Sequence, residues 1–288
     1  MQYLNLSRKI LSDGNVRTGR NGEVKSLFTD HMAFDLTNGF PLLTTKKMFF
    51  RGIVEELLFF IRGDTDTSML SDKKVRIWEG NTTEDFLKSK NLEYSNGVMG
   101  PMYGYQWRYF NSPYVLDENK KPIRPNGGVD QLKQIVELIN NDPNSRRIIM
   151  TTYNPEQANE GVLYPCHSLM IQFYVDDKYL DMFCYNRSQD FFLGTPYNIA
   201  SSSILLTLVS KITGKIPRKL NITMGDVHIY KEHYDAVKTQ IENTAYKFPN
   251  LNIDKNITSV DDLNSLTFED FKLDDYNSNE IIKAQMKT

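Results

Sequence analysis

The 288-residue chain has two cysteines, two tryptophans and four histidines, and its formal net charge is only −2. Each shortage excludes something. Two cysteines cannot build a disulfide framework, so a reducing cytoplasmic setting is the expectation. A near-neutral chain has no global basic field with which to collect nucleic acid. No run of about 18 apolar residues occurs, so no membrane span is expected. The opening stretch MQYLNLSRKILSDG has apolar residues at helical spacing and no apolar core followed by a small-residue cleavage site. It reads as the first helix of a mature protein rather than as a signal peptide. The histidines offer little to a metal. His167 adjoins Cys166, and adjacent residues seldom point at one ion; His228 and His233 lie five apart, off the usual ligand face of a helix. No metal site is expected from such a set.

Apolar material, by contrast, is ample. With 40% hydrophobic and 12% aromatic residues, the chain can fill one large core or two small ones, and it reads as packed rather than disordered. No internal repeat or low-complexity tract occurs. Helical periodicity is clearest over Gly52–Arg62, Val129–Asn140, Asn198–Thr213 and Tyr230–Asn243. In the third of these, Ile204, Leu205, Leu208 and Ile212 form one stripe of a helix apolar enough to be buried centrally. Strand-like runs are Arg147–Thr152, Leu169–Val175, Leu180–Tyr185 and Leu220–Met224. NDPNS at 141–145 ends a helix and turns into a strand. Helices and strands intermingle without a linker. We therefore expect one α+β domain over 1–288, with an exposed insertion near 111–128 that is rich in charge, Pro and Gly.

The chemistry is concentrated in a few stretches. LYPCHS at 163–168 places Cys166 between a proline and a histidine. By residue type alone it can be a buried small hydrophobe, a metal ligand or a nucleophile. Cys184, inside LDMFCY, reads as core. YNRSQDFFLGTPYN at 185–198 then runs from a strand end into the apolar helix, carrying Arg187, Ser188, Asp190 and Asn198 next to what should be core. Burying such groups without partners costs a few kcal/mol each, so they satisfy one another or line a polar ligand site. Arg187 with Ser188 makes an anion pair, a planar fork beside a hydroxyl donor. Asn198 carries a donor and an acceptor, which can read a base edge. In GDVHIY at 225–230, His228 and Tyr230 share a face if the segment is extended.

These blocks carry a resemblance. PCH, NRSQDFFLGTPYNIAS and GDVHIYKEH, in that order, resemble the thymidylate synthase family. So do RTG at 17–19, FPLLTTKK at 40–47, EELLFF at 55–60, IW at 77–78, GPMYGYQW at 100–107 and DPNSRRIIM at 142–150. The blocks are long, independent and in one register over nearly the whole chain, which is far more specific than any lone motif.

The resemblance implies a large twisted mixed sheet covered by helices, with two such sheets packed face to face in a homodimer. It implies reductive methylation of dUMP to dTMP by 5,10-methylenetetrahydrofolate, which supplies both the one-carbon unit and the hydride, with no metal. By position Cys166 is the nucleophile that adds to carbon 6 of uracil. A free thiol is only a few per cent thiolate at neutral pH, and Arg187 is the family's neighbour for lowering its pKa. Arg17, Arg187 and Ser188 are implied for the phosphate. Arg146 and Arg147, which alone would read as a solvated loop, are implied to reach the partner subunit's phosphate site. Glu56 is implied in proton transfer near neutral pH, where a buried carboxyl has a raised pKa, and Glu55 should be its exposed neighbour. Tyr103 matches the position linked to loss of the carbon 5 proton, and His167 belongs to the same water network. Asn198 and Asn186 fall on the base side, and His228 with Tyr230 on the deoxyribose 3′-hydroxyl. Lys46, Trp78, Asn81, Asp190, Gly194 and Tyr197 fall on the folate side, with Lys46 near the glutamate tail. Trp107 reads as core. Membrane is not a partner, and nucleic acid is not expected beyond the chain's own mRNA.

Several positions depart from the family. Asn186 stands where Gln is usual, so a direct bond can become water-mediated. YNP at 153–155 and SSS at 201–203 also differ. The tail IIKAQMKT ends in Lys287 and Thr288, where an apolar residue followed by Ala-Val is usual. A tail that closes poorly would admit water to the methylene that remains on the base, giving a hydroxymethyl instead of a methyl product. A dUMP hydroxymethylase is therefore one alternative. A non-catalytic nucleotide- or RNA-binding relative is another, and the full set of Cys166, Glu56, Tyr103 and the arginines argues against it.

Overall fold

The computed structural model describes residues 2–287. The chain runs α1 (Gln2–Asp13), β1 (Asn15–Gly19), β2 (Gly22–Asp35), α2 (Phe50–Arg62), α3 (Ser68–Ser71), α4 (Glu84–Ser89), α5 (Gly104–Tyr109) and α6 (Gln131–Asn141). It continues with β3 (Ile149–Thr151), β4 (Met170–Asp176), β5 (Tyr179–Asp190), α7 (Gly194–Ile212), β6 (Ile216–Tyr230), α8 (Tyr234–Glu242), β7 (Asn250–Ile253) and β8 (Phe271–Asp274). Six strands form one sheet in the order β1-β2-β6-β5-β4-β3, and β7 pairs with β8 apart from it. Every neighbour in the large sheet is antiparallel except β5 and β6, which are parallel. This is the large mixed sheet that the family resemblance implies.

The parallel pair needs a crossover, and α7 supplies it. Its residues Ile199, Ala200, Ile204, Leu206, Leu208 and Val209 are wholly buried, so it is the central helix that the apolar stripe predicts. The helix begins at Gly194, earlier than the expected Asn198. Pro196 is tolerated there because the first-turn N–H groups have no intrahelical partner.

The strands differ more from expectation. NRSQD is part of β5 rather than a loop beyond it, and the short run 220–224 is the middle of a 15-residue β6 that includes GDVHIY. Tyr230 ends that strand and does not start a helix. β2 is a 14-residue strand with no counterpart among the expected runs. Its apolar residues keep no clean alternation: the face that meets the core is Ser26, Met32 and Phe34, while Phe28 is 84% exposed and Leu27 adjoins it, so the period-2 signal of a strand is broken.

Helix α2 is buried from Gly52 to Ile61 and ends on Gly63 in the left-handed region, φ 72°. Because it is enclosed on nearly all sides, Glu55 is not the exposed neighbour expected of it. Glu55 is 2% exposed and pairs with Lys73 at 2.6 Å and with Arg51 at 4.0 Å. Cys184 and Trp107 are both core residues, as expected. The segment 111–128 is largely exposed, but Tyr114 turns inward and its hydroxyl meets that of Thr65 at 2.8 Å.

Helix α5 lies directly on α2. A β-carbon at Gly104 would fall 2.0 Å from the Phe60 carbonyl oxygen, so only glycine permits the approach that sets Tyr103 in place. Gly104→Ala should lower stability by ~2–4 kcal/mol, read as a fall in the urea midpoint at unchanged slope. An unchanged midpoint would show that this helix contact is not tight.

Candidate active site

The parallel register sets Ser188 opposite Asp226 and Asp190 opposite His228. The loop that carries Cys166 is tied to the same strand. The backbone N–H groups of Arg187 and Ser188 donate to the Cys166 carbonyl at 2.8 and 3.3 Å. The Arg187 guanidinium donates to the carbonyls of Pro165 at 3.1 Å and Tyr164 at 3.2 Å, and lies over the Tyr164 ring. Arg187 therefore fixes the cysteine loop and holds a positive charge beside the thiol.

Cys166, Arg187, Ser188, Asp190, His228 and Tyr230 all line one cleft of about 460 Å³. Asn81, Lys90 and Asn159 line it as well. A second concavity of about 360 Å³ shares Arg187, Ser188, His228 and Tyr230 with it and extends to Arg17 and Asp226. The two form one depression over the ends of β5 and β6. A separate 250 Å³ groove beside the insertion holds Asp66 paired with Lys121 and Asp64 paired with Arg124, and neither cysteine lines it.

Behind Cys166 is a stack of rings. Tyr103 lies against His167 at 4.3 Å between centroids and against Phe60 at 5.0 Å. Its hydroxyl is 3.3 Å from Cys166 Sγ and accepts the Cys166 backbone N–H at 3.4 Å. Tyr103 sits at φ 42°, a backbone conformation that costs energy and recurs at functional sites. Burial pushes the Cys166 thiol up, while the Tyr103 hydroxyl and the Arg187 charge both pull it down. The balance corrects the sequence expectation of a lowered pKa. In this structure desolvation wins, and Arg187 and Tyr103 limit the rise.

The same burial acts on the neighbours. Glu56 is raised to about 7, with Trp78 Nε1 donating to its Oε1 at 2.8 Å and working the other way. His167 is lowered to about 4 and is neutral at pH 7. Glu56 and His167 meet at a small cavity with Ser168, Ser201 and Ser202. Beyond the cleft, Asp226 accepts from Arg17 at 2.7 Å and lies 3.0 Å from His228 Nδ1, so one carboxylate positions both.

The expected residues do not all reach the cleft. Asn81 lines it, Trp78 is buried on Glu56, and Asp190 caps the backbone N–H groups of Phe192 and Leu193 with one oxygen at 3.0 and 3.1 Å. Lys46 is buried, donates to the Phe192 carbonyl at 2.6 Å, and is lowered to about 7 by burial against the opposing pull of Asp190. Gly194 and Tyr197 lie in the first turn of α7, outside the cleft lining. Asn186 is 1% exposed and spends its amide on interior partners, so it does not touch the cleft. Asn198 is buried beside it. Arg146 and Arg147 are exposed in the turn before β3 and line neither concavity. Sequence reasoning missed Arg20, Asn21, Lys90 and Asn159; only the polar, glycine-flanked RNG at 20–22 hinted at the first two. Lys287 also reaches the cleft, paired with Glu232 at 2.5 Å, while Gln285 presents its carbonyl to His233 Nε2 at 2.9 Å. The polar tail is thus docked by its own polar groups. Thr288 lies outside the described residues. Among the described residues, no three His, Cys, Asp or Glu side chains gather at a metal-binding distance, and no helix is long and apolar enough to cross a membrane.

Burial of Glu56 has a consequence for stability. A folded pKa of about 7 against an ordinary 4.5 means that ionisation costs more in the folded chain. Stability is fullest below the ordinary value and falls as pH rises through about 7, by at most ~3 kcal/mol. Glu56→Gln, which keeps an acceptor for Trp78, should gain in urea midpoint over the parent protein, and the gain should grow from pH 5 to pH 8. A gain that does not grow would mean that Glu56 is not a desolvated acid.

Comparison with known proteins places this geometry. The profile of the family described as thymidylate synthase matches residues 1–288. A bifunctional dihydrofolate reductase-thymidylate synthase from Paramecium tetraurelia is 42% identical over 287 residues, covering 99% of this chain and 60% of the relative. The thymidylate synthase of Equine herpesvirus 2 is 41% identical over 287 residues, 99% of this chain and 97% of the relative. That of Saccharomyces cerevisiae is 39% identical over 298 residues, 99% of this chain and 96% of the relative. The chain spans about half the length of several other bifunctional relatives. A family match over residues 1–288, together with near-complete coverage of the herpesvirus and yeast relatives, means that this chain belongs to the thymidylate synthase family.

Proposed function

We propose that the protein methylates dUMP to dTMP reductively, as one catalytic domain, with 5,10-methylenetetrahydrofolate as co-substrate. The observation that carries this reading is Cys166 at the wall of the cleft, with the Tyr103 hydroxyl at 3.3 Å and Arg187 anchored to its loop. Such a cysteine can add to carbon 6 of uracil. The ring's electron pair then moves to carbon 5, which becomes the nucleophile toward the one-carbon unit.

Family residues take their roles by chemistry. Arg17, Arg187 and Ser188 hold the phosphate, and His228 with Tyr230 holds the sugar hydroxyl. The carbon 5 proton leaves past Tyr103, which stays a phenol because burial and the neighbouring thiol raise its pKa well above the ordinary value. Glu56, balanced near neutrality, takes up and returns protons; His167, neutral at that pH, relays them without adding charge. When the carbon 5–carbon 6 double bond re-forms, the sulfur leaves and Cys166 is regenerated.

The residues also suit the co-substrate, which supplies the methylene group and then the hydride. Asp190 keeps one carboxylate oxygen free of protein partners among the described residues, fit for the amino-pyrimidine edge of a pterin. Lys90, at the cleft wall, has no ion pair among the described residues and can meet an acidic tail. The docking of Gln285 and Lys287 supports exclusion of water and hence a methyl product. Hydroxymethylation is not favoured.

A homodimer completes this reading. Ile149, Tyr174, Phe183 and Tyr185 stand on the sheet face away from α7, with Ile149 42% and Tyr174 66% exposed. Two such faces packed together would cover them, and Arg146 and Arg147 would reach the partner's phosphate site. Two free cysteines suit a cytoplasmic location.

The test is the product. Incubation with dUMP and 5,10-methylenetetrahydrofolate should yield a nucleotide with the mass of dTMP, and Cys166→Ser should lose turnover while still binding dUMP. A product one oxygen heavier would overturn methylation, and a Cys166→Ser enzyme that turns over would overturn the nucleophile. Mixing Arg147→Ala subunits with Cys166→Ser subunits should restore partial activity, since one of the two hybrid sites is intact. Hybrids that stay inactive would sink the shared-site dimer.

A further inference from the structure

Three buried amides form a chain behind the cleft. The Ser168 backbone N–H donates to Asn186 Oδ1 at 2.7 Å; Asn186 Nδ2 donates to Gln189 Oε1 at 2.6 Å; Gln189 Nε2 donates to Asn198 Oδ1 at 2.7 Å. Asn186, Gln189 and Asn198 are 1%, 2% and 7% exposed. The Cys184 thiol also points at Asn186 Oδ1, 3.5 Å away.

The polarity of this chain is not free. A backbone N–H can only donate, so the atom of Asn186 that meets Ser168 must be the oxygen. Asn186 then has only its NH₂ to offer Gln189, which must answer with oxygen and pass its own NH₂ to Asn198. Reversing any one amide would set donor against donor, or oxygen against oxygen, in a buried site. Gly194 makes room for the last link, since a β-carbon there would stand 3.3 Å from Gln189 Nε2 and 3.9 Å from Asn198 Oδ1.

The consequence falls on Asn198. Its Oδ1 is held toward Gln189, and its Nδ2 has no protein partner among the described residues and is not sealed from solvent. A free NH₂ donor meets the carbonyl at position 4 of uracil. It would oppose the amino group that cytosine carries there. We propose that Gln189, with Asn186, is a positioning residue that locks the amide orientation of Asn198 and thereby selects a uracil over a cytosine nucleotide. This rests on Asn198 as the base-reading residue, as read above.

Two variants break the chain at different links. In Asn186→Asp the carboxylate still accepts the Ser168 N–H but cannot donate. Gln189 then turns its NH₂ toward the introduced carboxylate, and Asn198 turns its oxygen toward the base. The ratio of dUMP to dCMP affinity, from calorimetric titration of the full chain, should fall at least tenfold. Gln189→Met keeps the volume but removes both bonds, freeing Asn198, and should lower the same ratio severalfold. Cys166 alkylation by iodoacetamide should be unchanged in both, which separates repositioning from general disruption of the site. Asn198→Asp serves as the control for base reading. If it shifts the ratio while the folded relay variants change it by less than twofold, the relay is wrong and the base reading stands. If Asn198→Asp also leaves the ratio unchanged, the base reading itself fails, and the relay with it. Should Asn186→Asp not fold, Gln189→Met alone decides.

Discussion

In the parallel pairing of β5 with β6, two long strands run side by side and stop at the same end of the sheet. Helix α7 must cross between them, so its N-terminal turn starts where β5 stops. The consequence is local and chemical. Arg187, Ser188 and Asp190 from one strand, and Asp226, His228 and Tyr230 from the other, are fixed within one depression by backbone hydrogen bonds rather than by flexible loops. The cysteine loop is attached to the same strand through the Cys166 carbonyl and the Arg187 guanidinium. A site that depends on positioning gains from this, because a shift of even an ångström at the reacting atoms is costly.

Desolvation is the second organising effect, and it acts on different groups in opposite directions. It raises Glu56 and Cys166 and lowers His167 and Lys46, in every case favouring the uncharged form. For Glu56 the result is a carboxyl balanced near neutral pH. For His167 it is a neutral ring beside the thiol. For Cys166 it is a problem that Tyr103 and Arg187 partly offset. Reactivity therefore depends on how these few contacts oppose burial, not on burial alone. The tail follows the same logic at the mouth of the cleft, where Lys287 and the Gln285 carbonyl find partners on the segment just after β6.

Much was legible beforehand, and the reasons are specific. Apolar periodicity located α2, α6 and α7 because a helix repeats its buried face every three or four residues whatever it packs against. Cys166, Arg187, Ser188, His228 and Tyr230 were legible as cleft residues because each sits in a motif block that resembles the family. β2 was not, since its apolar residues do not alternate: Leu27 and Phe28 adjoin, Phe28 is exposed, and a serine takes a core position at 26. Arg20, Asn21 and Lys90 were not either, for an exposed polar residue looks the same in a cleft as on open surface.

Apolar spacing was enough for most of the helices, and long motif blocks in one register were enough for the family. Three things waited for the assembled fold. Glu55 proved as buried as Glu56, since α2 is enclosed on nearly all sides. Arg17 met Asp226, 209 positions away. The amides of Asn186, Gln189 and Asn198 took a single direction. The physical reason is common to all three. Desolvation, charge pairing and hydrogen-bond polarity depend on what surrounds a group in space, and chain order does not contain that until the sheet is assembled.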